Sequence, residues 1–255
     1  ISIYAEHSVL WNSLTVIAGI MAHHNTDLTG FSFYPGVDVS YILNDHFRLY
    51  SSANKTLRMP TFTDMFYKSP VQQGNPGLKP EEAFTFEGGL KYNNSFLNGY
   101  ISAFRRWGNN MIDWVKSPSP DSLIWRSMNH TQINFTGFEC SLTLTPPKGG
   151  KFGRIETFRL AYAFLKADSD RNYMLSKYAL DYLSHQITSS IDFRIAWKLY
   201  NSDRLTYHDR GGVYQDTKGQ LVSYNPFWLC DSKIYWKEDH WTMYAEASNI
   251  FNTGY

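Results

Sequence analysis

The segment SHQITSSIDFRI, residues Ser184–Ile195, alternates polar side chains with apolar or small ones. Successive side chains of a β-strand point to opposite faces, so this alternation predicts a strand with one apolar and one polar face. The apolar face would carry Ile187, Ser189, Ile191, Phe193 and Ile195, and the polar face Gln186, Thr188, Ser190, Asp192 and Arg194.

The same alternation recurs along the chain, for example in AFTFEGGLKY (83–92), TGFECSLTLT (136–145) and TFRLAYAFLK (157–166). Helical periodicity has little support outside the connecting segments, and no fixed repeat length indicates a propeller. We therefore predict an all-β protein of about twelve antiparallel strands. These strands are expected near residues 1–10, 13–24, 33–44, 46–57, 83–93, 96–107, 130–145, 153–167, 183–195, 199–211, 223–237 and 239–251.

The length of these segments is typical of a transmembrane β-barrel. Strands of soluble sheets usually have about five or six residues, whereas a tilted strand that crosses a bilayer needs about 9–11. Outer-membrane barrels also alternate tight periplasmic turns with long extracellular loops, and the predicted connections follow that alternation. The tight ones include 44–45, 93–95 and 238–240, and the long ones are 58–82, 108–129, 168–182 and 212–222.

The orientation of the strands follows from the cost of charge in lipid. Asp192 and Arg194 share the polar face, and a charged side chain at the midplane of such a barrel costs about 2–4 kcal/mol. We therefore expect polar faces to line the lumen and apolar faces to meet lipid. Tryptophans near strand ends would form interfacial girdles: Trp11, Trp107, Trp114, Trp197, Trp236 and Trp241.

Composition excludes several other classes of protein. The net charge of +1 argues against a nucleic-acid-binding surface, and the two cysteines, Cys140 and Cys230, are too few for a disulfide framework. No run of apolar residues is long enough for a membrane-spanning helix. The mean hydropathy of −0.40 is compatible with a transmembrane barrel, because lipid-facing and lumen-facing residues alternate along each strand.

Neither a metal site nor a catalytic site is predicted. His23 and His24 are adjacent on a strand and would point to opposite faces, so they cannot bind one ion together. The run Tyr207-His208-Asp209-Arg210 contains a histidine and an aspartate but no paired nucleophile. We expect the protein not to be an enzyme and to need no cofactor.

Four segments, in order, carry a family resemblance. The first contains Arg58, Pro60 and Phe62, and the second, which begins GNPGLKPEE, contains Asn75, Pro76 and Glu81. The third is RLTYHDRGGVY (204–214), and the fourth, with SNIFN, contains Asn249, Phe251 and Asn252. Together they resemble the C-terminal half of the β-barrel of TonB-dependent outer-membrane receptors, over at least residues 48–252. The motif residues are expected to shape the first long loop and the end of the barrel, since proline ends ladder pairing and Asn-Pro-Gly favours a turn.

The resemblance implies more than this chain contains. The family has a 22-stranded barrel with an N-terminal plug, so residues 1–255 would be a C-terminal portion of the barrel, incomplete at both ends and without the plug. It implies a place in the bacterial outer membrane in contact with lipid, and energy coupling to the TonB complex through the missing N-terminal part. It leaves a surface lipoprotein open as a further partner.

The implied function is import of a scarce nutrient, and the motifs look most like the cobalamin branch. Siderophore and haem receptors remain alternatives, as do a passive channel or adhesin barrel and a soluble carbohydrate-binding β-protein. Aromatic and neutral polar side chains on the long loops suit a large, partly apolar ligand. The candidate ligand residues are Tyr67, Gln72, Gln73, Trp114, Trp125, Arg126, Tyr173, Tyr178, Tyr214 and Gln215.

Overall fold

The computed structural model describes residues 1–24, 30–117, 119, 123–150, 152–169, 175–177, 182–216 and 218–254. In chain order the elements are β1 (Ser2–Trp11), β2 (Leu14–His24), β3 (Phe31–Ile42), β4 (Phe47–Arg58), α1 (Phe62–Phe66), β5 (Lys68–Ser69), β6 (Gln72–Gln73), β7 (Glu81–Asn93), β8 (Leu97–Lys116), β9 (Trp125–Leu144), β10 (Ile155–Ser169), β11 (Leu175–Ser176), β12 (Leu183–Ala196), β13 (Leu199–Arg210), β14 (Val213–Gln215), β15 (Leu221–Ser223), β16 (Phe227–Lys237) and β17 (Thr242–Ala247).

Twelve long strands form one antiparallel sheet, and each pairs with the long strand that precedes and follows it in the chain. The order is β1-β2-β3-β4-β7-β8-β9-β10-β12-β13-β16-β17. This confirms the predicted all-β fold class and the number of long strands. No helix in the described part of the chain is long and apolar enough to span a bilayer.

Tight turns join the strands at one end of the sheet, and their side chains explain their geometry. Asn44 Oδ1 accepts hydrogen bonds from the backbone N–H groups of His46 and Phe47 at 2.9 and 3.0 Å. Asn94 Oδ1 does the same for Phe96 and Leu97 at 2.9 and 2.7 Å. These asparagines replace backbone partners in the turn, so the strands can reverse within a few residues. The longer connections around α1, β11 and β14–β15 lie at the other end, called the loop end below.

Cross-strand register joins the apolar positions of neighbouring strands into a continuous apolar face. Leu49 lies opposite Leu90, Leu90 opposite Ile101, and Ile101 opposite Cys140. The side chain of Ile101 is 51% exposed and that of Leu160 is 41% exposed, so this face has no protein layer over it in the described part of the chain. The predicted two-faced strands are therefore confirmed.

The opposite, polar face is held by charged and aromatic pairs. Arg159 Nη1 lies 3.3 Å from Asp192 Oδ2 across the β10–β12 pair. Tyr200 and Tyr235 stack across β13 and β16 with ring centroids 5.2 Å apart. Cross-strand pairs of this kind stabilise a sheet on the face where they lie.

A polar cluster interrupts the apolar face on β13 and β16. Asn201, Asp203 and Leu205 occupy successive positions of that face on β13, and Asp203 lies opposite Ser232. Ser232 Oγ donates to Asp203 Oδ1 at 2.6 Å, and Asn201 is only 7% exposed. The alternation of the sequence did not reveal this exception.

The largest error in the predicted boundaries concerns residues 108–129, which were expected to form a loop. β8 continues to Lys116 and β9 begins at Trp125, so most of this segment is a two-stranded extension of the sheet, called the β8–β9 extension below. Ile112, Asp113, Trp114 and Val115 are 6%, 1%, 4% and 4% exposed. Because both faces are covered, the sequence has no reason to alternate there, and the alternation rule misses the strand.

Smaller errors have similar causes. The loops 58–82 and 212–222 contain α1, β5 and β6, and the hairpin β14–β15, all too short for a periodic signal. The strand expected over 223–237 begins at Phe227, since the residues before it belong to that hairpin. The strand expected over 239–251 spans only Thr242–Ala247, and Asn249 has a φ of 49° soon after its end.

The two faces can be tested with adjacent arginine substitutions in β10. Leu160 lies on the apolar face opposite Leu142 and Ser189, and Ala161 lies on the polar face opposite Ser141 and Thr188. In the complete protein, Leu160→Arg should decrease the free energy of unfolding from lipid vesicles by about 2–4 kcal/mol, whereas Ala161→Arg should change it by less than half as much. Urea titration of the folded fraction measures both, and equal losses would contradict the assigned faces.

Candidate ligand-binding site at the loop end

Glu81 joins three strands where the first long loop leaves and re-enters the sheet. Its Oε1 accepts from Arg58 Nη2 at 2.7 Å and from the backbone N–H of Ile112 at 2.6 Å. These residues lie at the end of β4, the start of β7 and the upper part of β8. Glu81 is 5% exposed, and a carboxylate at that depth is stable only when it is paired.

Asp64 performs a similar role for the short helix α1. Thr61 and Asp64 form a reciprocal capping box at its N-terminus, and Trp114 Nε1 donates to Asp64 Oδ1 at 3.2 Å. Burial disfavours the charge of this carboxylate, but the hydrogen bonds from Thr61 and Trp114 and the nearby Arg58 outweigh burial and lower its pKa. The bond to Trp114 attaches α1 to the β8–β9 extension.

The chain then crosses to the far edge of β9. Gln72 and Gln73 of β6 pair in parallel with Trp125 and Arg126. The return depends on Gly74, whose N–H donates to the carbonyl of Tyr67 at 2.7 Å. A Cβ at that position would lie 2.8 Å from the backbone of Met65, so only glycine fits without a shift.

Asn129 holds the returning segment against the extension. Its Oδ1 accepts from the backbone N–H of Lys79 at 2.9 Å, and its Nδ2 donates to the carbonyls of Lys79 and Asn110 at 2.9 and 2.7 Å. The side-chain amide of Asn129 therefore makes three hydrogen bonds to backbone groups, two in the loop and one in β8.

The other edge of the β8–β9 extension is covered by β11. Leu175 and Ser176 pair with Lys116 and Val115 of β8. Ser176 Oγ donates to Asp113 Oδ2 at 2.5 Å, and the backbone N–H of Trp114 donates to Asp113 Oδ1 at 2.8 Å. Segments from two different loops thus flank the extension, one on each edge, and make it a platform.

Cations surround an aromatic side chain on this platform. The ammonium groups of Lys116 and Lys177 lie 5.3 and 5.9 Å from the ring centroid of Trp125, and exposed Arg126 follows it in β9. Lys116 Nζ also donates to Gln215 Oε1 of β14 at 3.1 Å. Arg126 points to the opposite face of β9, because successive side chains of a strand alternate. We call Lys116, Trp125 and Lys177 the cation–aromatic patch, which suits a ligand with negative charge or π-systems.

A cleft of about 510 Å³ opens between β3 and the first long loop. This volume is within the usual range for small-molecule sites. Its lining is mainly apolar and includes a few polar side chains. The lining residues are Ser32, Tyr34, Met59, Pro60, Met65, Pro76, Leu78, Lys79, Pro80, Glu82 and Asn110.

The structure separates the candidate ligand residues. Gln72, Trp125 and Gln215 come together at the cation–aromatic patch, and Gln73 pairs with Arg126, although all five lie in short or extended strands and not in loops as expected. Tyr67, 46% exposed, follows α1, and the ring of Tyr214 in β14 packs at a tilt against Tyr224 with centroids 5.0 Å apart. Trp114 is buried at 4% exposure in β8, so it supports the platform and belongs neither to a loop nor to a girdle. Tyr173 and Tyr178 lie outside the described residues.

The remaining motif residues occupy turns and loop surfaces. Asn75 Oδ1 accepts from the backbone N–H of Gly77 at 2.9 Å, and Pro60 and Pro76 line the cleft. Phe62 and Phe251 are 84% and 60% exposed. Beyond β17, the Asn249 side chain bonds the backbone of Thr253 at 2.9 and 3.0 Å, and Asn252 has a φ of 48°.

Several residues that build the site were not singled out from the sequence. Lys116 and Lys177 come close to Trp125 because β8 pairs with β9 and β11 pairs with β8. No local pattern in the sequence predicts these contacts. Asp64 does have a local signal, since Thr61 three residues before it forms the spacing of a capping box. Within the described residues, no group of three His, Cys, Asp or Glu side chains is placed to hold a metal ion.

Comparison with known families gives one match that spans nearly the whole chain. The profile described as TonB dependent receptor-like, beta-barrel matches residues 1–250. Among curated proteins, the vitamin B12 transporter BtuB of Vibrio vulnificus is 31% identical over 116 residues, which are 46% of this chain and 17% of that protein. BtuB of Photobacterium profundum is 28% identical over 101 residues, 39% of this chain and 16% of that protein.

Solved structures with the same fold include two iron-related receptors. The siderophore receptor PirA from Acinetobacter baumannii superposes with a TM-score of 0.72 at 18% identity, over 98% of this chain and 41% of that one. The FrpB iron transporter from Neisseria meningitidis, F5-1 variant in its apoprotein form, has a TM-score of 0.74 at 18% identity, over 99% and 41%. The chain thus spans well under half the length of these relatives.

Acid should loosen the first long loop through Asp64. The folded-state pKa of Asp64 is lower than its ordinary 3.8. The stability that its charged form gives the folded loop is therefore complete above the ordinary pKa, and it is lost as the pH falls through the folded-state pKa. Hydrogen-exchange protection of residues 61–75, corrected for intrinsic rates, should fall in that window. Asp64→Asn should already reduce protection at neutral pH and remove most of the acid step. Asp45→Asn, in a tight turn at the opposite end, is the control, and an unchanged acid step in Asp64→Asn would contradict this role.

Proposed function

The chain belongs to the TonB-dependent receptor β-barrel family, and on that premise we propose that it is part of an outer-membrane active transporter. The complete protein would bind a scarce nutrient at the loop end and import it to the periplasm with energy supplied through the TonB complex. The observation that carries this proposal is the family match over residues 1–250. The sheet supports it, since twelve long strands run in chain order with their long connections at one end.

This chain would form one part of that transporter. We propose that residues 1–255 form a C-terminal portion of the barrel, with plug and TonB-contacting segment in other parts of the receptor. The apolar face would contact outer-membrane lipid, and a surface lipoprotein is a further possible partner. An enzymatic role is not proposed, because the family consists of receptors and transporters and no catalytic arrangement was found among the described residues.

For the substrate we favour a cobalamin. The support is 31% identity to a vitamin B12 transporter over 116 residues, together with exposed aromatic and amide side chains such as Tyr67 and Gln73. These groups suit a large ligand with both apolar and hydrogen-bonding surface. A ferric siderophore is the second candidate, because the cation–aromatic patch is complementary to a negatively charged chelate.

The transport proposal predicts energy-dependent uptake. Cells that carry the complete receptor should accumulate labelled cyanocobalamin only when TonB is present and the proton-motive force is intact. Uptake that continues at the same rate without TonB would contradict active transport and favour a passive channel. Binding of the ligand to the purified receptor is the control, because it should not depend on TonB.

The substrate is tested by titration of the complete receptor with cyanocobalamin, haem and a ferric siderophore. We expect cyanocobalamin to bind most tightly, and Gln73→Ala to weaken it about three- to tenfold through loss of one hydrogen bond. Gln132→Ala, on the same β9 strand but away from the patch, should leave the affinity unchanged. Tighter binding of the ferric siderophore, with a loss on Lys177→Ala, would reverse the order of the two substrates.

A further inference from the structure

The apolar face contains a groove that the proposed transport function does not use. It has a volume of about 410 Å³ and lies on β4, β7, β8 and β9. Its floor is a row of small residues, because Ser51 lies opposite Gly88 and Gly88 opposite Ala103. Leu49, Leu90, Ile101 and Phe138 form its sides. A groove with an apolar lining of this kind has the shape and chemistry of an acyl-chain site.

Two basic side chains lie on the same face in the next row toward the loop end. Arg105 follows Ala103 at the next apolar-face position of β8, and it lies opposite Thr136 of β9. Lys166 of β10 lies opposite Thr136 on its other side. Because neighbouring strands are about 4.8 Å apart, the two Cα atoms are about 10 Å apart with the threonine between them.

Within the described part of the chain, no carboxylate forms an ion pair with these cations. Arg105 Nη1 donates to Thr136 Oγ1 at 3.1 Å, and its guanidinium lies 5.7 Å from the centroid of the Trp107 ring. Lys166 is exposed. Asp168, two residues beyond it on the same face, forms no ion pair with either cation, and no other described carboxylate does. Lys55 on β4 differs, since it is paired with Glu82 at 3.2 Å.

The height of the cations fits the boundary between hydrocarbon and headgroups. Arg105 is eight residues beyond the start of β8 at Leu97. A rise of about 3.3 Å per residue and a tilt of about 40° put it roughly 20 Å above the tight-turn end, near the top of an apolar band about 25 Å tall. Trp107 and Phe84 form the next row, where interfacial aromatic residues are expected.

We propose that this face binds a lipid with a phosphate-bearing headgroup as a specific ligand. Arg105, Lys166 and Thr136 bind the phosphate, and one acyl chain lies in the groove over Gly88. Charge selects the headgroup, because two cations that no described carboxylate pairs flank a hydroxyl at headgroup height. The inference rests on the membrane location proposed above, but it does not depend on which nutrient is transported.

The headgroup is tested by native mass spectrometry of the complete receptor in non-ionic detergent with dioleoyl phosphatidylglycerol or dioleoylglycerol. The receptor should retain the phosphatidylglycerol at least about tenfold better. The double variant Arg105→Gln, Lys166→Gln should abolish that preference, whereas Lys55→Gln, which removes a cation already paired, should preserve it. Equal retention of the two lipids by the wild type, or an unchanged preference in the double variant, would overturn the proposal.

The groove is tested separately by Gly88→Leu. A Cβ at Gly88 meets only the Tyr50 carbonyl, at 3.9 Å, so the larger side chain fills the groove without a backbone clash. It should reduce retention of both lipids severalfold, whereas Ala18→Leu on the same face of β2 should not; equal effects would refute the groove. A receptor that folds and imports nutrient but fails these tests loses only this inference. A chain that does not enter membranes loses the proposed function as well.

Discussion

Complete pairing of the backbone is the constraint on which the rest of this structure depends. Hydrocarbon offers no hydrogen-bonding partner, so a strand in a bilayer must find all its partners in neighbouring strands. Here each long strand pairs with its neighbours in the chain, and that register aligns Leu49, Leu90, Ile101 and Cys140 across four strands. A slip by one residue would turn the polar face toward the apolar surroundings. The two-faced pattern therefore fixes the register in which the strands pair.

At the loop end the organising interactions are buried charges and hydrogen bonds. Glu81 unites β4, β7 and β8, while Asp64 attaches α1 to Trp114. Each carboxylate is held by several donors, which offsets the cost of burying it. The result is a platform on which two loops from different parts of the sheet meet, and it positions the side chains of the cation–aromatic patch.

The apolar face is less uniform than contact with lipid alone would require. It includes the groove over Gly88 and the polar cluster that contains Asp203 and Ser232. A face selected only for contact with acyl chains would need neither feature, since polar groups there carry a cost that a leucine would not. The apolar face therefore also has local structure, and its groove lies one row below Arg105 and Lys166, which no described carboxylate pairs.

The sequence by itself determined the twelve long strands, their two faces and the family, because alternation is a local pattern and register in a meander follows from short turns. Only the tertiary structure decided the β8–β9 extension, since Ile112 and Val115 are buried on opposite faces by loops distant in the chain. It also decided which candidates meet, bringing Lys177 to Trp125 and burying Trp114. Such contacts join segments that are far apart along the chain, so no window of sequence contains the information that specifies them.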